Sequence, residues 1–185
     1  MAKLWNRCIR QILLLAVISL ITHGQSATDA PLPPIEKPGF RPVLIVLKKR
    51  SGLRLAIPKT LPKTYADTDE FYCTVTQLKS KEYEVMIGYT VDCSGGNACR
   101  LGSLYGKHTR QNRITGKANY PFEQKGAKPV QLRQGIKGYF VDATCGANCS
   151  DSKIFWTVNG WEYMVGLKAG KLSQVKQLAN SAIGS

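Results

Sequence analysis

The chain has 185 residues, with 26 Lys and Arg against 12 Asp and Glu, for a formal net charge of +14. That length suits a single domain with a real hydrophobic core, and no apolar run reaches the ~20 residues of a membrane-spanning helix. Such a basic surface attracts polyanions such as nucleic acid, anionic lipid headgroups or acidic wall and matrix polymers, although net charge alone is not a site.

The N-terminus has the layout of a secretory signal. Lys3, Arg7 and Arg10 form a basic leader, Ile12 to Ile21 an apolar core, and Gly24-Gln25-Ser26-Ala27 a segment rich in small residues. We expect a signal peptide over 1–27, with Cys8 and His23 leaving with it. Residues 28–185 then carry 23 basic against 12 acidic residues, a net charge of about +11. The expected compartment is exported: periplasm, thylakoid lumen or extracellular medium.

Residues 28–42 (TDAPLPPIEKPGFRP) read as a proline-rich arm, because proline removes backbone donors and resists helix and central strand. Val43 to Leu47 (VLIVL) reads as a strand, and the alternating Leu53, Leu55 and Ile57 as a second. Residues 70–92 read as a hairpin turning near Lys79-Ser80-Lys81, with Tyr83, Val85, Ile87, Tyr89 and Val91 on one face.

A twelve-residue segment then occurs twice. Residues 88–99 are GYTVDCSGGNAC and residues 138–149 are GYFVDATCGANC. Each has the form of a strand running into a tight, Gly-rich, cysteine-closed loop. Five cysteines follow the signal, and in an oxidising compartment they default to disulfides. Cys93 with Cys99 and Cys145 with Cys149 are the obvious pairs, with cross-pairing open if the loops converge. A turn at 79–81 sets Cys73 opposite about Gly88, too far from Cys93, so Cys73 is expected to be a buried free thiol.

Between the copies, residues 106–137 hold Lys107, Arg110, Arg113, Lys117, Lys125, Lys128, Arg133 and Lys137 against one acid, Glu123. Next, Gly138 to Thr144 returns to strand. Ile154, Trp156 and Val158 precede Asn159-Gly160, and Trp161, Tyr163, Val165 and Leu167 follow it. Asn-Gly between alternating runs specifies a two-residue hairpin turn, pairing Val158 with Trp161, Trp156 with Tyr163 and Ile154 with Val165. Leu172, Val175, Leu178, Ala179, Ala182 and Ile183 then recur at helical spacing.

The run W-T-V-N-G-W-E-Y-M-V-G-L-K-A-G (156–170) with L-A-N-S-A-I (178–183) resembles the C-terminal motif of small exported cyanobacterial proteins of unknown function. It is similar, more distantly, to a C-terminal module of unknown function in bacterial envelope and anti-sigma-type proteins. The resemblance covers about 30 residues and implies a fold and an envelope context. It brings no catalytic residues.

Other constellations are weak. Gly102 to Thr109 has the wrong spacing for a phosphate loop and no helix after it. His108 is the only imidazole after the signal, so Cys73–His108 and Ser103–His108 are the nucleophilic pairs to test. Asp92 and Asp142 occupy equivalent places and could work together if they converge, but an Asp at a strand exit ordinarily accepts turn N–H groups. Of the four loop cysteines, only the second pair has zinc-knuckle spacing. Trp156, Trp161 and Tyr163 could stack on sugars or bases, but a sheet also needs a core.

The expectation is therefore an α+β domain over 43–185: a twisted antiparallel sheet of about six or seven strands with one C-terminal helix packed on it. The expected function is non-enzymatic binding of an anionic polymer or membrane surface through Lys107, Arg110, Arg113 and Lys117. No cofactor, metal or catalytic residue is called for, and no nucleic-acid motif accompanies the charge. An apolar-ligand carrier and a small hydrolase are the alternatives.

Overall fold

The structure is a computed structural model, and it describes residues 32, 35–63, 70–93, 95–109 and 126–184. The expected signal peptide lies outside the described residues, which all fall within the compact unit Leu32–Ser185.

The elements in chain order are α1 (Phe40–Lys48), β1 (Tyr72–Lys79), β2 (Glu82–Gly88), β3 (Arg100–His108), β4 (Lys128–Gln131), a 3-10 turn (Arg133–Gly135), β5 (Lys137–Val141), β6 (Asp151–Val158), β7 (Trp161–Lys168) and α2 (Leu172–Ile183). The strands form one seven-stranded sheet in the order β1-β2-β3-β7-β6-β5-β4, antiparallel throughout. The expected α+β class, strand number and C-terminal helix are what the structure shows.

Its plan is two three-stranded meanders, β1-β2-β3 and β4-β5-β6, joined side by side through β7. Because β3 and β6 both run antiparallel to β7, they run the same way, and so do β2 and β5. The twin loops, β2 to β3 and β5 to β6, therefore lie at the same end of the sheet. Four strand spacings, roughly 19 Å, separate β2 from β5.

The β6–β7 hairpin pairs Val158 with Trp161, Trp156 with Tyr163 and Ile154 with Val165, as the Asn-Gly turn dictates. Asn159 (φ 50) and Gly160 (φ 75) take the positive angles such a turn needs. One sheet face carries Tyr83, Val85, Leu104, Ile154, Trp156, Tyr163 and Val165, all in the core. Helix α2 covers this face with Val175, Leu178, Ala179 and Ala182, spaced i, i+3, i+4 and i+7. Trp156 and Tyr163 stack with ring centroids 5.5 Å apart. All three aromatics offered above for ligand stacking, Trp156, Trp161 and Tyr163, are buried.

Two expectations need correction. Val43–Leu47 is not a strand but the body of α1, which also takes Phe40, Arg41 and Pro42 from the expected arm. Phe40, Val43 and Leu47 are its buried residues, a helical i, i+3, i+7 stripe that a five-residue apolar window cannot reveal. Pro42 lies in the first turn, where its missing N–H breaks no helical bond. Residues 53–57 also join no strand. Ala56 N–H donates to Tyr83 Oη at 2.9 Å, and Arg54 C=O accepts from Tyr163 Oη at 3.2 Å. Two core tyrosines thus take the bonds a neighbouring strand would supply.

Candidate anion-binding groove

The cysteines resolve simply. Cys93 bonds Cys99 and Cys145 bonds Cys149, so each loop is closed on itself and no four-thiolate set remains for zinc. Cys73 pairs with Ile87 in the β1–β2 ladder, is 1 % exposed and is free. Burial pushes its thiol pKa up to about 12, the opposite of what a nucleophile requires.

The nucleophilic pairs do not assemble. Ser103 and His108 lie five residues apart on one strand, on opposite faces and roughly 17 Å apart along it. Ser103 Oγ donates to Asp151 Oδ2 at 2.8 Å, and the His108 ring packs edge-on against Trp161 at 5.6 Å. Asp92 and Asp142 follow β2 and β5 and do not converge. Asp142 does the work of a turn: its Oδ1 accepts from Ala143 N–H at 2.9 Å and from Ser152 Oγ at 3.2 Å.

Of the four cations named for anion binding, Arg110, Arg113 and Lys117 lie outside the described residues. Lys107 is exposed near the end of β3. Its ladder partners are Glu82 on β2 and Glu162 on β7, so a carboxylate flanks it on each side. Glu82, Glu84, Glu162, Lys107 and Tyr105 line one cleft of about 520 Å³. Tyr105 Oη donates a hydrogen bond to Glu162 Oε1. Burial raises the Glu162 carboxyl above its ordinary pKa. This cleft is not a cationic one.

A cationic groove lies elsewhere, along the outer flank of α2. Ser173, Lys176 and Gln177, Asn180 and Ser181, and Gly184 come from successive turns, and Lys59 and Arg133 complete the lining around about 520 Å³. Three cations meet four hydroxyl or amide side chains, and among the described residues no Asp or Glu lines the groove.

Its geometry follows from side chain to backbone bonds. Lys59 N–H donates to Ser181 Oγ at 2.9 Å, and Arg133 N–H donates to Asn180 Oδ1 at 2.8 Å. Two segments distant in sequence are thereby pinned to the last turns of α2. Buried Pro58 sets the approach of Lys59. The turn bearing Arg133 includes Gln134 at φ 58 and Gly135 at φ 73. A non-glycine residue at such an angle carries backbone strain, which the surrounding structure must hold in place. Part of the cationic charge suits the C-terminal end of the helix, but that end presents only about half an elementary negative charge. Three cations exceed what it needs.

In the sequence Arg133 stands out only as one of eight cations in a basic stretch, and nothing local marks Lys59. Lys176 is the one sequence signal, a cation on the polar face of an otherwise legible amphipathic helix. No known family model matches this chain, and no curated protein or solved structure matches it either.

Proposed function

We propose that this is an exported, non-enzymatic protein that binds an anionic partner, with the Lys59–Arg133–Lys176 groove as the contact. The carrying observation is the convergence of three cations with hydroxyl and amide donors and no lining carboxylate. Cationic donors of this kind are the ones that recognise phosphate, sulfate or carboxylate groups. Two intraloop disulfides support the export reading, since such bonds persist in oxidising compartments. Among the described residues no helix is long and apolar enough to cross a membrane. The carrier alternative has less support, because Trp156, Tyr163, Ile154, Leu178 and Ala179 fill the space between sheet and helix.

The test is retention of the full chain on a sulfated polysaccharide resin and on anionic phospholipid vesicles across a salt titration. Retention should fall steeply with salt and fall again in Lys59→Gln/Arg133→Gln/Lys176→Gln. If only replacing Lys107, Arg110, Arg113 and Lys117 by Gln weakens retention, the contact lies in that stretch instead. Retention indifferent to salt and to both sets of substitutions rejects anion binding.

A further inference from the structure

The two disulfides of the repeat differ in access at their first cysteine, while Cys99 and Cys149 are both half-buried. Cys93 is 5 % exposed and folds back over Gly88, where a Cβ would stand only 2.7 Å from Cys93 Cβ and 3.0 Å from its Sγ. Backbone bonds weave the same loop shut: Tyr89 N–H to Cys99 O at 2.8 Å and Cys93 N–H to Thr90 O at 3.3 Å. Cys145 is exposed instead, as are Gly146, Ala147 and Asn148, and a Cβ added at Gly146 would meet nothing within 4 Å. The base of this second loop is held independently of its disulfide. Ser150 N–H donates to Thr144 O at 2.9 Å, Thr144 N–H to Ser150 Oγ at 2.9 Å, and Ala143 N–H to Ser152 Oγ at 3.0 Å.

We propose that Cys145–Cys149 is a thiol–disulfide exchange site whose co-reactant is an accessible dithiol, while Cys93–Cys99 is a structural staple. A thiolate of the dithiol attacks Sγ of Cys145, the exposed residue of the pair. The Cys145–Cys149 bond breaks, and Cys149 leaves as a thiolate from the resulting mixed disulfide. The second thiolate of the dithiol then displaces Cys145. The dithiol is oxidised to its disulfide by two electrons, the protein disulfide is reduced, and the dithiol's two protons end on Cys145 and Cys149. Cys73 does not compete, since it is 1 % exposed. The proposal is independent of the groove.

The experiment is timed reduction of the oxidised full chain with dithiothreitol, alkylation at each time point and peptide mass mapping. Cys145 and Cys149 should label at least ~10-fold faster than Cys93 and Cys99, because exchange follows access to the sulfur. The near-ultraviolet circular dichroism of the buried tryptophans should persist while only the second pair is labelled. Equal rates, faster labelling of Cys93 and Cys99, or loss of that signal together with Cys145 labelling overturns the proposal. A second arm opens one disulfide at a time. Cys149→Ser should trap glutathione at Cys145 from glutathione disulfide, and Cys99→Ser should not trap it at Cys93 while folded. Equal trapping at both sites also overturns it.

Discussion

Arg100 and Asp151 form a 2.8 Å ion pair that passes over β7 and joins the first residue of β3 to the first residue of β6, the strands that follow the two disulfide loops. Asp151 has no exposed side-chain surface, and its second oxygen accepts from Ser103 Oγ at 2.8 Å. Gly166 on β7 leaves the space. A Cβ there would lie 3.1 Å from Asp151 Cβ and 3.2 Å from Oδ2. One charge pair spanning β7 thus ties together the strands that follow the twin loops.

Asp151→Ala should therefore destabilise the protein by ~3–5 kcal/mol, the usual effect of breaking a buried pair from one side. It leaves both Arg100 and Ser103 without their acceptor. Urea unfolding of the full chain measures it. Arg100→Met/Asp151→Leu should lose less than the two single changes summed, because the partners are coupled. Additive losses would show that the pair does not act as a unit.

Gly102 makes a sharper case. A Cβ at 102 would stand 2.2 Å from Gly166 O, a backbone atom that cannot swing away. Gly102→Ala should cost more than ~2 kcal/mol by forcing β3 and β7 apart. Gly146→Ala, whose Cβ meets nothing within 4 Å, should stay within about 0.5 kcal/mol of the parent. Similar losses from both substitutions would contradict the packing.

These glycines also mark how far the sequence could be read. Gly88 and Gly138 stand in register in the repeat, yet they do different work. A Cβ at 88 would strike Cys93, whereas one at 138 would strike Leu132 Cδ1 at 2.9 Å and approach Phe155 O at 3.1 Å. The first strand ends at Gly88 and the second runs on to Val141. The repeat was legible because its loops are local. Its divergence was not, because it depends on neighbours far along the chain. The same division runs through the fold. The Asn159-Gly160 hairpin and α2 follow from local chemistry and periodicity. Helix α1 does not, because its buried stripe of Phe40, Val43 and Leu47 begins among prolines that locally favour an extended chain. The groove is assembled from residues 59, 133 and 176, and hydrogen bonds to Ser181 and Asn180 pin the first two segments to α2, which carries the third.

Glu162 predicts a pH dependence. Its carboxyl is buried, and its pKa is raised from the ordinary 4.5. On raising pH through 4.5 the unfolded chain releases this proton first while the folded chain keeps it. The folded state then binds more protons, so the Glu162 contribution to stability falls as pH rises, until the folded carboxyl also ionises. Glu162→Gln removes the titration and keeps a carbonyl to accept from Tyr105 Oη. The variant should show a flatter stability–pH curve above pH 4.5 and gain stability relative to the parent as pH rises. Parallel curves for the two proteins would refute the assignment.

The groove can be tested without changing its charge. Ser181→Ala and Asn180→Ala leave Lys59, Arg133 and Lys176 in place but remove the acceptors for Lys59 N–H and Arg133 N–H. If bulk charge alone attracts the partner, affinity for an anionic probe is unchanged. If the groove is a built site, each change releases one cation-bearing segment, and a lost hydrogen bond of about 1 kcal/mol corresponds to roughly fivefold in affinity. The salt dependence should separate the two kinds of variant further. Replacing a groove cation by Gln lowers the slope of log affinity against log salt, by about 0.9 per cation on a double-stranded DNA probe. The Ser181 and Asn180 variants keep their cations, so they should bind more weakly with nearly the parent slope. Unfolding curves taken alongside separate a loosened groove from a loosened fold. Loss of affinity without loss of slope, in a protein of near-parent stability, is the signature of positioned rather than diffuse charge.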